Sequence, residues 1–177
     1  MTRETPPTNA ATPARLLLAS RSPRRRAMLR EAGIGFELAE APHEPVVVLG
    51  ADTMCIRGDS LLGQPRDGAE AREMLESFMD GFHRVVTGLA IVAPDGRRQL
   101  IADTAEVIWG RVSVDEIDRY IESDNWHGKA GAYNLAERVA QGWPIRVQGD
   151  PTTVMGLPMR RLPALLRAWR IDAGAAA

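Results

Sequence analysis

The chain has a single cysteine, Cys55, in 177 residues. That excludes an internal disulfide and a thiolate metal cluster, and it makes a reducing compartment the natural setting. Lysine is as scarce: Lys129 stands alone beside 21 arginines. Neither sign of charge is in excess, with 22 basic against 23 acidic residues, so nothing in the balance draws the chain to nucleic acid or to an anionic membrane. There is no secretory leader pattern and no apolar run long enough to cross a bilayer, so a cytoplasmic location is expected. What is present is a globular composition, 45% hydrophobic and 25% charged, in a length that suits one domain with a substantial core.

Both ends read as frayed tails, polar and Pro/Thr-rich over 1–14 and small-residue over 172–177, which leaves one domain over 15–171. "RLLLA" (15–19) suits a short buried strand. Ser22 suits an N-cap and Pro23 a first helical position, in a helix that stops at Gly33. "GFELAE" and "PVVVLGADT" read as strands, and "MCIRGDSLLG" as two short extended pieces around Gly58-Asp59. Asp67, with Glu70 three residues on, opens an amphipathic helix that carries Ala71, Met74, Leu75 and Phe78 on one face.

A long hairpin follows, turning at Pro94-Asp95-Gly96, and then a helix opened by a capping box from Ser113 to Glu116. Residues 125–142 show no clear periodicity. "PIRVQG" and "TTVMGL" read as strands, and "PMRRLPALLRAWRI" as a closing helix bent at Pro163. The alternation around a central hairpin predicts a single α/β domain with a mixed β-sheet flanked by helices.

Residues 15–30 hold six arginines and no acid. Arg24, Arg25 and Arg26 fall in the first turn or so of the predicted helix, where the macrodipole is already positive and cations are disfavoured. A solvated basic face is one reading, and a nucleic-acid-binding helix another, though no aromatic interleaving or wider basic stripe supports the latter. The placement favours a phosphate site: free N–H groups, the Ser22 hydroxyl and the guanidinium forks of Arg24 and Arg25 converge on one anion.

Asp52 in "VVVLGADT" lies where the apolar strand runs out, a position from which it could bind Mg²⁺ or Mn²⁺ and position or deprotonate a water; the plain alternative is a turn-capping aspartate helped by Thr53. His43, His83 and His127 are far apart and show no ligand spacing. The lone Lys129 marks either a place that needs a compact ammonium or a chance survivor on a loop.

"LASRSPRRRAML", "GADT", "GQPRDGAEAREML", "HRVVTGLAI", "EIDRYIES", "KAGAY" and "GDPTTVMGLP" resemble, in order, the motifs of the Maf family of nucleoside triphosphate pyrophosphatases, from about Leu16 to the final helix. The resemblance implies a fold like that of Maf and inosine triphosphate pyrophosphatases. It also implies a divalent metal cofactor (Mg²⁺ or Mn²⁺) and hydrolysis of a nucleoside triphosphate to monophosphate and pyrophosphate. A homodimer is the assembly it suggests. Matched to the family's motifs, Ser22, Arg24 and Arg25 would hold the triphosphate, Asp52 would be general base and metal ligand, and Thr53 would bear on substrate choice. Lys129 would neutralise charge developing on the phosphates.

The chain also departs from that pattern. Gln64 stands in the substrate-binding position of a usual lysine, and Ala136 where a specificity-determining glutamine is usual. Between the second and third predicted strands only "APHEP" remains of a segment that in the family brings another carboxylate and another lysine; Glu40 and Glu44 are the acids left there. A working pyrophosphatase of altered specificity is therefore expected, with a catalytically impaired protein that binds nucleotide or a protein partner as the alternative.

Overall fold

The computed structural model describes residues 15–38 and 46–171; the two predicted tails, His43, Glu40 and Glu44 lie outside them. Seven strands form one mixed sheet: β1 (Leu16–Leu18), β2 (Glu37–Leu38), β3 (Val47–Arg57), β4 (Ser60–Leu62), β5 (Gly81–Val92), β6 (Arg98–Trp109) and β7 (Ile145–Gln148). Their order is β2-β1-β3-β5-β6-β7, with β4 also paired to β3. β1 runs parallel to β2 and β3, and every other pair is antiparallel. The expected α/β domain with a mixed sheet is the one found.

β3 organises the site. Along one edge it pairs with β1 through Val47–Leu49 and with β4 through Cys55–Arg57, while its other edge pairs continuously with β5 from Val48 to Ile56. Residues 50–54 are thus left without a strand neighbour on the first edge, among the described residues. Side chains alternate along a strand, so Leu49, Thr53 and Cys55 share a face with Val85, Thr87 and Ile91 opposite them.

Both cores grow from that face. Leu49, Leu89 and Ile91 pack with Leu16, Leu18, Leu29 and Leu162; Cys55, Val85 and Val107 pack with Leu75, Phe78, Ile117 and Trp109. At about 1.5–3 kcal/mol for each fully buried large apolar side chain, either cluster suffices to dock its helices. The polar pair Thr53–Thr87 sits between the clusters, where the sheet forms the floor of a cleft.

The helices are α1 (Pro23–Glu31), α2 (Gly68–Phe78), α3 (Val114–Glu122), α4 (Leu135–Ala140), α5 (Pro151–Met155) and α6 (Leu162–Ala168), with a 3₁₀ turn at Ala130–Ala132. Ser22 caps α1, and Ser113 closes its capping box with Glu116. Asp67 caps α2 through the Glu70 N–H, but the Glu70 carboxylate accepts from Arg66 N and Nε instead of closing a box.

Three expectations are corrected. "TTVMGL" forms α5 and not a strand, because Asp150 accepts from Thr152 N and Pro151 supplies the first helical residue. α6 needs no bend, because it starts at Leu162 and Pro163 falls within its first turn. "MCIR" is not a separate piece: β3 runs unbroken to Arg57.

Candidate active site

A cleft of about 610 Å³ lies over the middle of the sheet between the two helical groups. Ser22, Arg24 and Arg25 reach it from the start of α1, Asp52 and Thr53 from β3, Gln64 from the loop after β4, and Lys129 from the loop before the 3₁₀ turn. All seven side chains selected from the sequence line this one cleft. Asp52 is not at the end of its strand: β3 continues past it, and the parallel neighbour β1 is what runs out, after pairing Leu18 with Leu49.

The arginine triplet divides by direction. Arg26 turns back and donates to the carbonyls of Arg21 and Ser22. Arg25 Nε donates to the Gly156 carbonyl (2.9 Å), one Nη to Ser20 Oγ (3.1 Å) and the other to Thr53 Oγ1 (3.1 Å). Gly156 permits this approach: its φ is +108°, and a Cβ there would come within 3.2 Å of Arg25 Nε. Burial pulls the Arg25 guanidinium below its ordinary pKa, Asp52 opposes that shift and Arg24 adds to it. Arg24 Nε is buried with no hydrogen-bond partner. A buried unpaired N–H costs free energy until an acceptor arrives, so this donor has a hydrogen bond to give.

Lys129 is met by an acid that the sequence reading did not single out. Its Nζ donates to Glu137 Oε2 (3.0 Å), Asn134 Nδ2 donates to the other Glu137 oxygen (2.8 Å), and Asn134 Oδ1 caps α4 through Ala136 N and Glu137 N. The signal was the spacing Asn134-x-x-Glu137, a helix start that would have placed Glu137 in the first turn of α4. Arg138 fixes that helix from behind, 4% exposed, its guanidinium 4.2 Å from the Tyr120 ring centre and 5.1 Å from that of Trp143. An ammonium has three donors and Glu137 takes one, so Lys129 still has N–H groups for a ligand in the cleft.

The Maf-like protein family matches the chain across residues 37–169. The chain belongs to the Maf-like family of nucleoside triphosphate pyrophosphatases. It is 34% identical over 183 aligned positions to a dTTP/UTP pyrophosphatase of Salinibacter ruber (strain DSM 13855 / M31), covering 86% of this chain and 90% of that one. It is 32% identical over 187 positions to a dTTP/UTP pyrophosphatase of Bacillus cereus (strain ATCC 10987 / NRS 248), covering 89% and 91%. A solved nucleoside-triphosphatase / dITP/XTP pyrophosphatase from Mycobacterium abscessus overlaps 55% of this chain and 75% of its own at 16% identity and TM-score 0.34, too slight a likeness to argue from.

In this Maf-like chain the cleft excludes two other chemistries. Cys55 lines it, but burial pushes the thiol up to about 12, so no thiolate nucleophile is available near neutrality. His83 lies beneath, stacked on Phe78 and hydrogen-bonded through Nε2 to Tyr133 Oη (2.9 Å); burial, with Arg57, brings it down to about 3, so it stays neutral. His127 reaches the cleft rim, stacked on Trp126.

The family implies a divalent metal. Among the described residues no group of three or more His, Cys, Asp or Glu side chains could hold one, so a dedicated protein cage is absent there. Among the described residues, Asp52 is the cleft carboxylate not already bound to a cation, since Glu137 is paired with Lys129. One carboxylate with phosphate oxygens and water suits Mg²⁺, which seldom uses an all-protein cage. The residues therefore fit a metal that enters with the triphosphate. No helix among the described residues is long and apolar enough to cross a membrane.

Proposed function

We propose that this Maf-like chain hydrolyses dTTP and UTP to their monophosphates and pyrophosphate, with six of the cleft residues in the roles that follow. The observation that carries this reading is the convergence of Arg24, Arg25 and Lys129 with Asp52 on the β3 segment that, among the described residues, lacks a strand neighbour on one edge. Three cations and one carboxylate free of a cation partner suit a polyanion that must be held on one side and attacked from the other.

Arg24, through its unpaired Nε, and the start of α1 with Ser22 hold phosphate oxygens; Arg25 adds the donors its three protein contacts leave free. Gln64 contributes a neutral contact on the facing loop. Asp52 would hold the divalent cation, which when bound neutralises triphosphate charge and makes a nearby water more acidic. The Asp52 carboxylate orients a water and takes its proton as the water oxygen bonds to the α-phosphorus. The bond from that phosphorus to the bridging oxygen breaks, and the electron pair leaves with pyrophosphate, whose charge Lys129 and Arg24 stabilise.

The test is incubation of the purified chain with Mg²⁺ and a panel of nucleoside triphosphates, following both products. Equal amounts of monophosphate and pyrophosphate from dTTP and UTP are expected. Release of inorganic phosphate, or no turnover of any triphosphate, would overturn the reading.

A further inference from the structure

Thr53 is joined to the far side of the sheet by a chain of hydrogen bonds whose direction is fixed. Thr87 Oγ1 lies 2.7 Å from the Thr153 carbonyl oxygen, which can only accept, so Thr87 is the donor. A hydroxyl has one proton. In the 2.9 Å contact between Thr53 Oγ1 and Thr87 Oγ1, Thr53 must therefore donate. Arg25 Nη, which can only donate, occupies one lone pair of Thr53 Oγ1 at 3.1 Å. The Thr53 hydroxyl, with its proton turned away, meets the cleft as an acceptor alone.

The polarity is locked further back. Thr87 and Thr153 are fully buried, so water does not compete for their protons. Thr153 Oγ1 donates to Asp103 Oδ2 (2.5 Å), and Asp103 Oδ1 accepts from Arg161 (3.2 Å), which holds the α5 end of the chain against β6.

An acceptor-only group cannot serve phosphate oxygens, because lone pairs would face lone pairs. Its complement in a nucleotide is a donor on the nucleoside. We infer that Thr87 is a positioning residue that makes Thr53 an acceptor for a ring N–H, so the cleft admits bases of the uracil and thymine type, protonated at that ring nitrogen, and disfavours cytosine, whose corresponding nitrogen is itself an acceptor. This deepens the pyrophosphatase reading and rests on it for the identity of the ligand as a nucleotide. A site built to pair a buried hydrogen-bonding group discriminates strongly against a ligand that leaves it unpaired.

The experiment measures dissociation constants for α,β-methylene UTP and α,β-methylene CTP by calorimetry with Mg²⁺, in the wild type, Thr87→Val and Thr87→Ser. Binding of these analogues needs no turnover, and a ratio taken on one protein is unaffected by its folded fraction. The wild type should prefer the uracil analogue. In Thr87→Val the Thr53 proton loses its acceptor and is free to turn into the cleft, so the preference should fall about tenfold or more. Thr87→Ser restores the hydroxyl and should keep the ratio within about twofold of wild type. Equal binding of both analogues by the wild type, an unchanged ratio in Thr87→Val, or a Thr87→Ser ratio as low as that of Val would each overturn the inference. UTP turnover on the same preparations separates the two readings. A ratio that shifts in an inactive protein sinks the catalytic reading alone; turnover with an unshifted ratio sinks the role of Thr87 alone.

Discussion

Lys129 Nζ donates to Glu137 Oε2 across 3.0 Å, inside the cleft that also holds Asp52, Arg24 and Arg25. The chain's single ammonium is thus shared between a fixed carboxylate and whatever anion enters. Asn134 holds the other oxygen of that carboxylate, so Glu137 stays in place and, in the proposed reaction, would compete with phosphate for charge. Glu137→Gln keeps the shape and removes the competing anion. Because the Glu137 side chain is 45% exposed, the effect is modest: KM for the triphosphate should fall about threefold, with kcat within about twofold of wild type. Steady-state kinetics at fixed Mg²⁺ decide it, and a raised KM would show that the carboxylate serves binding instead.

Asp150 ties α5 to the approach to α6, and so supports the Gly156 carbonyl that receives Arg25. Burial pushes its carboxyl up, but the Thr152 hydroxyl and the N–H groups of Arg160 and Thr152 outweigh that and leave it below its ordinary value. A depressed carboxyl adds stability above its unfolded pKa, about 3.9, and that stability is lost as pH falls through the folded value. Asp150→Asn should therefore cost ~1–2 kcal/mol at pH 7, and the gap to wild type should close as the pH drops below about 4. Urea unfolding at pH 7 and near pH 3 measures both. A gap of constant size would contradict the linkage.

The same helix shows where sequence patterns succeed and fail. α1, α2 and α3 were legible because Ser22, Asp67 and Ser113 announce their starts with side chains that satisfy free N–H groups. α5 was misread because Thr152, Thr153 and Val154 carry strand propensity, while Asp150-Pro151 carries the start signal, and in this short helix the cap and the Thr153–Asp103 contact win.

Ser22, Arg24, Arg25, Asp52 and Lys129 stood out by local chemistry and Thr53 and Gln64 by the motif resemblance, and the structure brings all seven to one cleft. Glu137 was within reach of the Asn134-x-x-Glu137 spacing, but the gap in the β3 edge and the direction of the threonine chain could not be read in the same way. Each depends on pairings between residues distant in sequence, such as Thr53 with Thr87 and Thr87 with Thr153.

Cys55 lines the cleft yet is buried, packed near the close approach of Gly131, and its thiol is pushed up to about 12. The native protein at pH 8 should resist alkylation by iodoacetamide, and the urea-unfolded chain should react at the rate of an ordinary thiol. Mass spectrometry of the modified fraction over time checks this. Rapid native alkylation would mean that the cleft floor opens or that the thiol is not held as described.

In the proposed reaction Asp52 activates water against a triphosphate held by the arginines and Lys129. The most direct measurement compares wild type with Asp52→Asn, reading pyrophosphate release from dTTP with Mg²⁺ alongside stabilisation of each protein against heat by the same nucleotide. Asp52→Asn should lose turnover by about 10²-fold or more while nucleotide still raises its melting temperature, because the cations proposed to bind phosphate remain. Full turnover in Asp52→Asn would rule out Asp52 as the base.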